Sequence, residues 1–189
     1  NRLTNIFQGI STQPIFGGPV YIFRNALYNV EEEPFKMHND PYGALYFHNT
    51  IIKAGMPLHA YGGQVHDMVY RNNIFIGTQS GYAFEYTAPM DNCDYDYNGY
   101  AGKWANFGKW ANRIYNTLGE LQAKEKMEKH AVILDAAKMF VGGLMPPSDA
   151  RAQQFEPKVN DLRLVAESKA VDAGVPLPNV NDGFVGKAP

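Results

Sequence analysis

An asparagine recurs through the first hundred residues at intervals of roughly two dozen. Asn5, Asn25, Asn49, Asn72 and Asn98 are separated by 20, 24, 23 and 26 positions, and each follows a short aromatic or aliphatic stretch. A period in this range constrains the chain more than any other feature, because units this short cannot bury a hydrophobic face alone and must stack on their neighbours. One unit reads "PFKMH", "NDPY", "GALYFH", Asn49, "TIIKA"; the next reads "PLHAY", "GGQ", "VHDMVYR", Asn72, "NIFIG". These are short strands punctuated by turn formers. Three strands per unit are the pattern of a parallel β-helix, in which each coil bonds to those above and below.

Stacking gives the asparagines a purpose. At the strand spacing of about 4.8 Å, a column of inward amides can donate and accept along the axis and so satisfy its own polar groups. The competing reading is a set of solvent-facing turn residues, since asparagine suits turns in any fold.

The chain has 189 residues, of which 45% are hydrophobic and 13% aromatic, enough for one packed domain rather than a disordered segment. A formal charge of −2 without a long Lys/Arg run argues against nucleic acid or an anionic membrane recognised by bulk charge. Cys93 is the single cysteine, so no internal disulfide forms and the redox compartment stays open. No apolar run has the length of a transmembrane helix and no signal segment opens the chain. The start at Asn1, already inside a repeat, reads as a piece of a longer polypeptide. The rest of that polypeptide, or another subunit, is then the expected partner at the N-terminal end.

The rhythm divides the chain into regular coils over 1–102, a departure over 103–157 and a terminal coil or cap over 158–189. Within the departure, "RIYNTLGELQAKEKMEKH" is rich in helix formers, with Ile114, Leu118 and Leu121 at helical spacing. "HAVILD" reads as a returning strand, and Pro146 and Pro147 open a loop before the last coil. A separate helical domain is the rival reading, though the stretch is short for a core of its own.

The motifs "RNALYNV", "HNTIIKA", "RNNIFIG" and "DYDYNGY", with the ending "NDLRLVAESKAVDAGVPLPNVNDGFVGKAP", resemble the right-handed parallel β-helix proteins of the pectate-lyase-like superfamily. The resemblance implies an all-β fold: a right-handed parallel β-helix of about five coils with a short helix-containing insertion near its C-terminal end. It also implies a secreted, periplasmic or cell-surface location and a polysaccharide ligand lying along the first sheet. The superfamily holds lyases, hydrolases, epimerases and proteins of unknown function, so fold does not choose among them.

Strand alternation locates candidate chemistry. In "PFKMHND", Phe35 and Met37 face in while Lys36 and His38 face out; in "PLHAY", His59 and Tyr61 face out; in "YAFEY", Tyr82, Phe84 and Tyr86 face in, leaving Ala83 and Glu85 outside. Registering the coils by inward residues gives two outward columns, Lys36–His59–Ala83 and His38–Tyr61–Glu85. This patch has the parts for proton abstraction beside an acidic sugar: Lys36 to neutralise a uronate carboxylate, a histidine as base and Tyr61 as acid. Asp40, His66 and Asp67 follow in the turns as rim residues. Solvated strands must carry polar side chains anyway, and a one-residue slip would scatter both columns.

Asp91, Asp94 and Asp96 in "PMDNCDYDYN" are oxygen donors suited to Ca²⁺, although the spacing is not that of an EF-hand and an Asp-rich turn is the favoured alternative. His38, His48, His59, His66 and His130 show no zinc spacing. Arg24, His48, Arg71 and Tyr97, each just before an asparagine or pair, form a further outward column that covers the flank or meets a partner. The pentapeptide "GKWAN" occurs twice and brings Trp104 and Trp110, which either stack on sugar rings or, the favoured reading, pack inward. No phosphate loop or nucleophile elbow is present. The expected function is binding of an acidic polysaccharide, with cleavage by elimination or hydrolysis. The alternative is a non-catalytic scaffold or adhesin subunit of a surface assembly.

Overall fold

The computed structural model describes residues 1–13, 17–60, 62–87, 90–149, 154–156, 161–181 and 183. Its strands follow in coils: β1 (Arg2–Ile6), β2 (Ile10–Ser11) and β3 (Val20–Phe23); β4 (Ala26–Val30), β5 (Phe35–Lys36) and β6 (Ala44–Phe47); β7 (Thr50–Ile52), β8 (Leu58–Ala60), β9 (Val65–His66) and β10 (Val69–Arg71); β11 (Ile74–Ser80), β12 (Phe84–Tyr86), β13 (Met90–Asp91) and β14 (Asp94–Asp96). After these come β15 (Gly99–Trp104), β16 (Gly108–Trp110), β17 (Arg113–Tyr115), α1 (Leu118–Glu125) and β18 (Val132–Ile133). Each strand pairs with its counterpart one coil away, giving a six-stranded sheet β1-β4-β7-β11-β15-β18 and the sheets β3-β6-β10-β14 and β8-β12-β16-β17, with the short pairs β2-β5 and β9-β13. All pairings are parallel except β16–β17. The chain is an all-β parallel solenoid of about 4 turns with one short helix. No helix among the described residues is long and apolar enough to cross a membrane.

The asparagine column exists, with Asn25, Asn49 and Asn98 as the spacing suggested and with Asn1 and Asn73 in place of Asn5 and Asn72. Asn1, Asn25, Asn49, Asn73 and Asn98 form it at steps of 24, 24, 24 and 25 residues. Each side-chain Nδ2 donates to the next Oδ1 at 2.9–3.0 Å, and the backbone N–H of Asn25, Asn49 and Asn73 donates to that same oxygen. Asn5 belongs to a second, shorter column in which Asn29 donates to its Oδ1. Asn72 occupies the turn just before the column, a left-handed position (φ 58°) it shares with Arg24, His48 and Tyr97. Arg71, expected in that turn column, instead lies on β10 in register with Phe47 and Asp96. The doublet "NN" offers two candidates. The constant coil length selects Asn73, while the positive φ that costs other side chains explains an asparagine at 72.

Inside, one ring per coil stacks along the axis. Tyr46, Tyr70 and Tyr95 are in register, with centroids 4.3 Å apart and planes within 16° and 11°. Phe35, Phe75, Phe84 and Tyr100 fill the rest of the buried core.

Regular pairing continues past Gly102 to Trp110, and the C-terminal end is then closed. β17 turns back antiparallel on β16 through Ala111 and Asn112, both left-handed, so the last strand has no further coil to meet. Ile114 lies on this strand and is exposed; it is not part of the helix. α1 begins at Leu118 because the Thr117 side chain accepts from Glu120 N at 3.1 Å and the Glu120 carboxylate accepts from Asn116 N at 2.8 Å. Replacing Thr117 with Ala is expected to cost about 1 kcal/mol in urea unfolding.

Leu121 and Met127 cover the core end, and Glu128, fully buried, terminates the asparagine column. Its Oε1 accepts from Asn98 Nδ2 (2.9 Å) and from the Tyr100 hydroxyl (2.5 Å). Burial pushes the Glu128 carboxyl up to about 7, with the Tyr100 and Asn98 bonds opposing the shift. As pH rises from the ordinary glutamate value of about 4.5, the unfolded chain loses this proton first, so the folded state binds more protons up to about pH 7. Stability should fall by about 3 kcal/mol across that window, and Glu128→Gln should remove this component, read as the difference between the two proteins' unfolding free energies against pH.

Over 158–189 the expectation is a terminal coil or cap, and of that segment residues 161–181 and 183 are described. Residues 161–181 add one antiparallel bridge, Leu164 to Phe140, and otherwise run as an irregular strap along the flank. The outer face of the six-stranded sheet explains why: Tyr28, Ile52, Ile76 and Ala101 are in register there, an apolar column that water would penalise. Phe140, Leu144, Phe155, Leu162 and Leu164 cover it as a second hydrophobic cluster.

Candidate functional site

The sheet containing β8, β12 and β16, with β5 alongside, carries the greatest concentration of interacting ionisable groups. Phe35, Leu58 and Phe84 point inward, so the intervening residues point out. His59, Glu85 and Lys109 are aligned in register, and Lys36 occupies the equivalent position of the β2–β5 pair. The side chains are linked into a chain. Lys36 Nζ donates to Gln8 Oε1 (3.1 Å), Gln8 Nε2 donates to Glu33 Oε2 (2.7 Å), and Glu33 Oε1 lies 3.4 Å from His59 Nε2. Further along, Lys109 Nζ donates to Glu85 Oε1 at 3.0 Å.

Two of these groups are unusual for their burial. Glu33 is 1% exposed and Lys53 5%, while the His59 side chain keeps 20% exposure. Burial drives the Lys53 ammonium down to about 8 against the fields of Glu32 and Glu33, which favour the charged form. Burial also lowers the His59 imidazole, offset by Glu33 and reinforced by Lys53. The result is an imidazole that is neutral near pH 7, held against a buried carboxylate, between cations at either end. Such an arrangement can take a proton from a ligand and balance a negative charge on it.

The expected columns are therefore redrawn. Lys36, His59 and Glu85 do share a face, but Glu85 stands opposite His59 rather than in a column with His38 and Tyr61. Phe84 and Tyr86 face inward as alternation requires, but the coils pair two positions away from the register that set Ala83 opposite His59, and Ala83, just before β12, is itself buried. His38 lies half-buried beyond the end of β5, and Tyr61 falls outside the described residues. Glu33, Lys53, Gln8 and Lys109 were not anticipated. The available signals were a lysine closing the apolar run "TIIK", an acidic triplet before Pro34, and the second "GKWAN" copy in register with the first glutamate-bearing strand.

Asp40, His66 and Asp67 gather at a different corner. Asp40 Oδ1 accepts from Gln64 N (2.5 Å), Gln64 Nε2 donates to Asp91 Oδ2 (2.5 Å), His66 Nδ1 is 3.7 Å from that same oxygen, and Asn92 donates to Asp67. The calcium grouping is split: Asp91 belongs to this corner, Asp94 pairs with Arg71, and Asp96 accepts from His130 N (2.7 Å) and bonds its Nδ1 (2.8 Å). Among the described residues no three His, Cys, Asp or Glu side chains are placed to hold a metal ion. The coil turn between β13 and β14 separates Asp91, while Asp94 and Asp96 share one face of β14 but bond different partners, Arg71 and His130. Trp110 is 9% exposed and packs edge-on against Tyr86 and Tyr95, because Gly108 and Trp110 are the inward positions of β16. Trp104 is half-buried, edge-on to Phe107. Trp110 therefore offers no open face of the kind a sugar-binding platform needs.

No protein-family model matches the chain, and no curated protein or solved structure is significantly similar to it. The assignment of chemistry therefore rests on the side chains themselves.

Proposed function

We propose that the chain is a right-handed parallel β-helix of the pectate-lyase-like kind, exported to the cell surface or beyond. In this reading it binds an acidic polysaccharide across β5, β8, β12 and β16 and cleaves it by β-elimination. The observation that carries the reading is the His59 imidazole set against the buried Glu33 carboxylate between Lys36 and Lys109. Lys36 and Lys109 pair with uronate carboxylates. His59 removes the proton α to one of them; the electron pair forms the ring C=C bond and expels the glycosidic oxygen, which takes a proton from Tyr61, two positions beyond His59. Glu33 stabilises the imidazolium that forms and fixes the ring's orientation.

The test is ultraviolet absorbance of the unsaturated uronate during incubation with a panel of acidic polysaccharides, with Ca²⁺ or with chelator. A rise on one polymer supports the reading. A flat trace across the panel, from protein shown to be folded, overturns it. The alternative reading is a non-catalytic scaffold or adhesin subunit of a surface assembly. In that case the native mass would exceed the 21.1 kDa of this chain while the absorbance stayed flat.

A further inference from the structure

His48 lies on the flank away from the lysine-lined strip, in the left-handed turn before Asn49, and it touches the C-terminal strap. Two amides converge on its Nε2: Asn72 Nδ2 at 3.2 Å from the coil above and Asn181 Nδ2 at 3.0 Å from the strap. The orientation of both amides is fixed by backbone bonds. Asn72 Oδ1 accepts from Val175 N (2.9 Å) while its Nδ2 also donates to Val175 O (2.8 Å). Asn181 Oδ1 accepts from Leu177 N, and its Nδ2 also donates to Val175 O (3.2 Å). Both side chains therefore present N–H groups to the ring, and Nε2 must be an acceptor, which requires the neutral imidazole.

We propose that His48 is a proton-operated latch that holds the 171–181 part of the strap against the solenoid and releases it on protonation. An imidazolium would place an N–H against two N–H donors that cannot reverse without breaking their bonds to Val175 and Leu177. Arg24, one coil away, adds its positive charge to the same pocket while its guanidinium bonds Val180 O, so protonation sets two cations beneath the strap. Tyr97, in the coil beyond Asn72, is the other ionisable group in this column, and it stacks on His130. Burial, with Arg24, lowers the His48 imidazole below its ordinary 6.5. The latched state therefore binds fewer protons than the released one. Latching is complete above about pH 6.5 and weakens as pH falls from there toward the lowered value, by up to tenfold per unit.

The strap forms one side of a cleft of ≈ 220 Å³ lined by His48, by Thr50, Ile74 and Val132 from the sheet and by Leu164 and Ala173 from the strap, so release would widen access to it. The latch thus couples pH to access on this flank.

Hydrogen exchange of the intact chain, resolved by residue and corrected for intrinsic rates, tests the proposal between pH 7 and pH 4.5. The Val175 amide, which bonds Asn72 across to the solenoid, should exchange about tenfold faster or more at the lower pH, while Ile51 and Phe75 in the core stay protected. In His48→Gln, whose Oε1 accepts but does not titrate, the Val175 amide should keep its protection at both values. A direct titration of the His48 ring by NMR in the unmodified protein provides the second readout, and its midpoint should coincide with strap release. A Val175 amide that ignores pH, that loses protection only together with the core, or that responds equally in His48→Gln would overturn the latch.

Discussion

Replacing Asn73 with Ala is expected to lower the unfolding free energy by about 4 kcal/mol, whereas Asn72→Gly, one residue away, should cost about 1 kcal/mol. The difference follows from who is left without a partner. Asn73 Oδ1 accepts both the backbone N–H and the side-chain Nδ2 of Asn49, and its own Nδ2 donates to Asn98 Oδ1 and Tyr46 O. Truncation strands these groups in a core where Asn73 itself is 1% exposed, and each stranded group costs roughly 1–3 kcal/mol. Asn72 bonds the strap and His48 at the half-buried flank, and glycine accepts its left-handed backbone without strain. Urea unfolding at constant m-value measures both. Equal losses would mean that the column does not carry the stack.

The second large effect is on turnover. On the polysaccharide that gives an absorbance rise, His59→Gln should reduce kcat/KM by a factor of 10² to 10⁴, the contribution typical of a general base, with little change in folding because the amide can still address Glu33. The pH profile of the unmodified protein adds a signature. Activity should climb as His59 loses its proton, with a midpoint below 6.5. A profile whose acidic limb survives in His59→Gln would assign the proton to another group.

The repeat and the alternation made the solenoid readable, because both are set by backbone geometry that every coil shares. The phase was harder. In "RNN" two asparagines differ only in which side of a left-handed turn they occupy, and one position separates a strap contact from a column member. The column on β8 and β12 failed by register, not by face: Phe84 and Tyr86 face in and Glu85 out, but Glu85 pairs with His59, a shift of two residues that keeps every side chain on its face and so leaves no mark in the alternation. Trp110 was legible as core, Trp104 less so. Glu33 and Lys53 were harder to read: the acidic triplet and the lysine closing "TIIK" mark them, but their burial depends on which loops fold over them and neither lies within a strand. The strap was hidden because its cover of Tyr28, Ile52, Ile76 and Ala101 spans more than a hundred residues of chain.

The strip around His59 is the proposed seat of an acidic sugar chain. Amide chemical-shift mapping with a defined oligouronate tests it most directly. Perturbations should gather on Lys36, His59, Glu85 and Lys109 with their strand neighbours, and weaken with added salt as charge pairing is screened. Perturbations confined to the strap flank or to the Asp40–Asp91 corner, or none at saturating ligand, would contradict it.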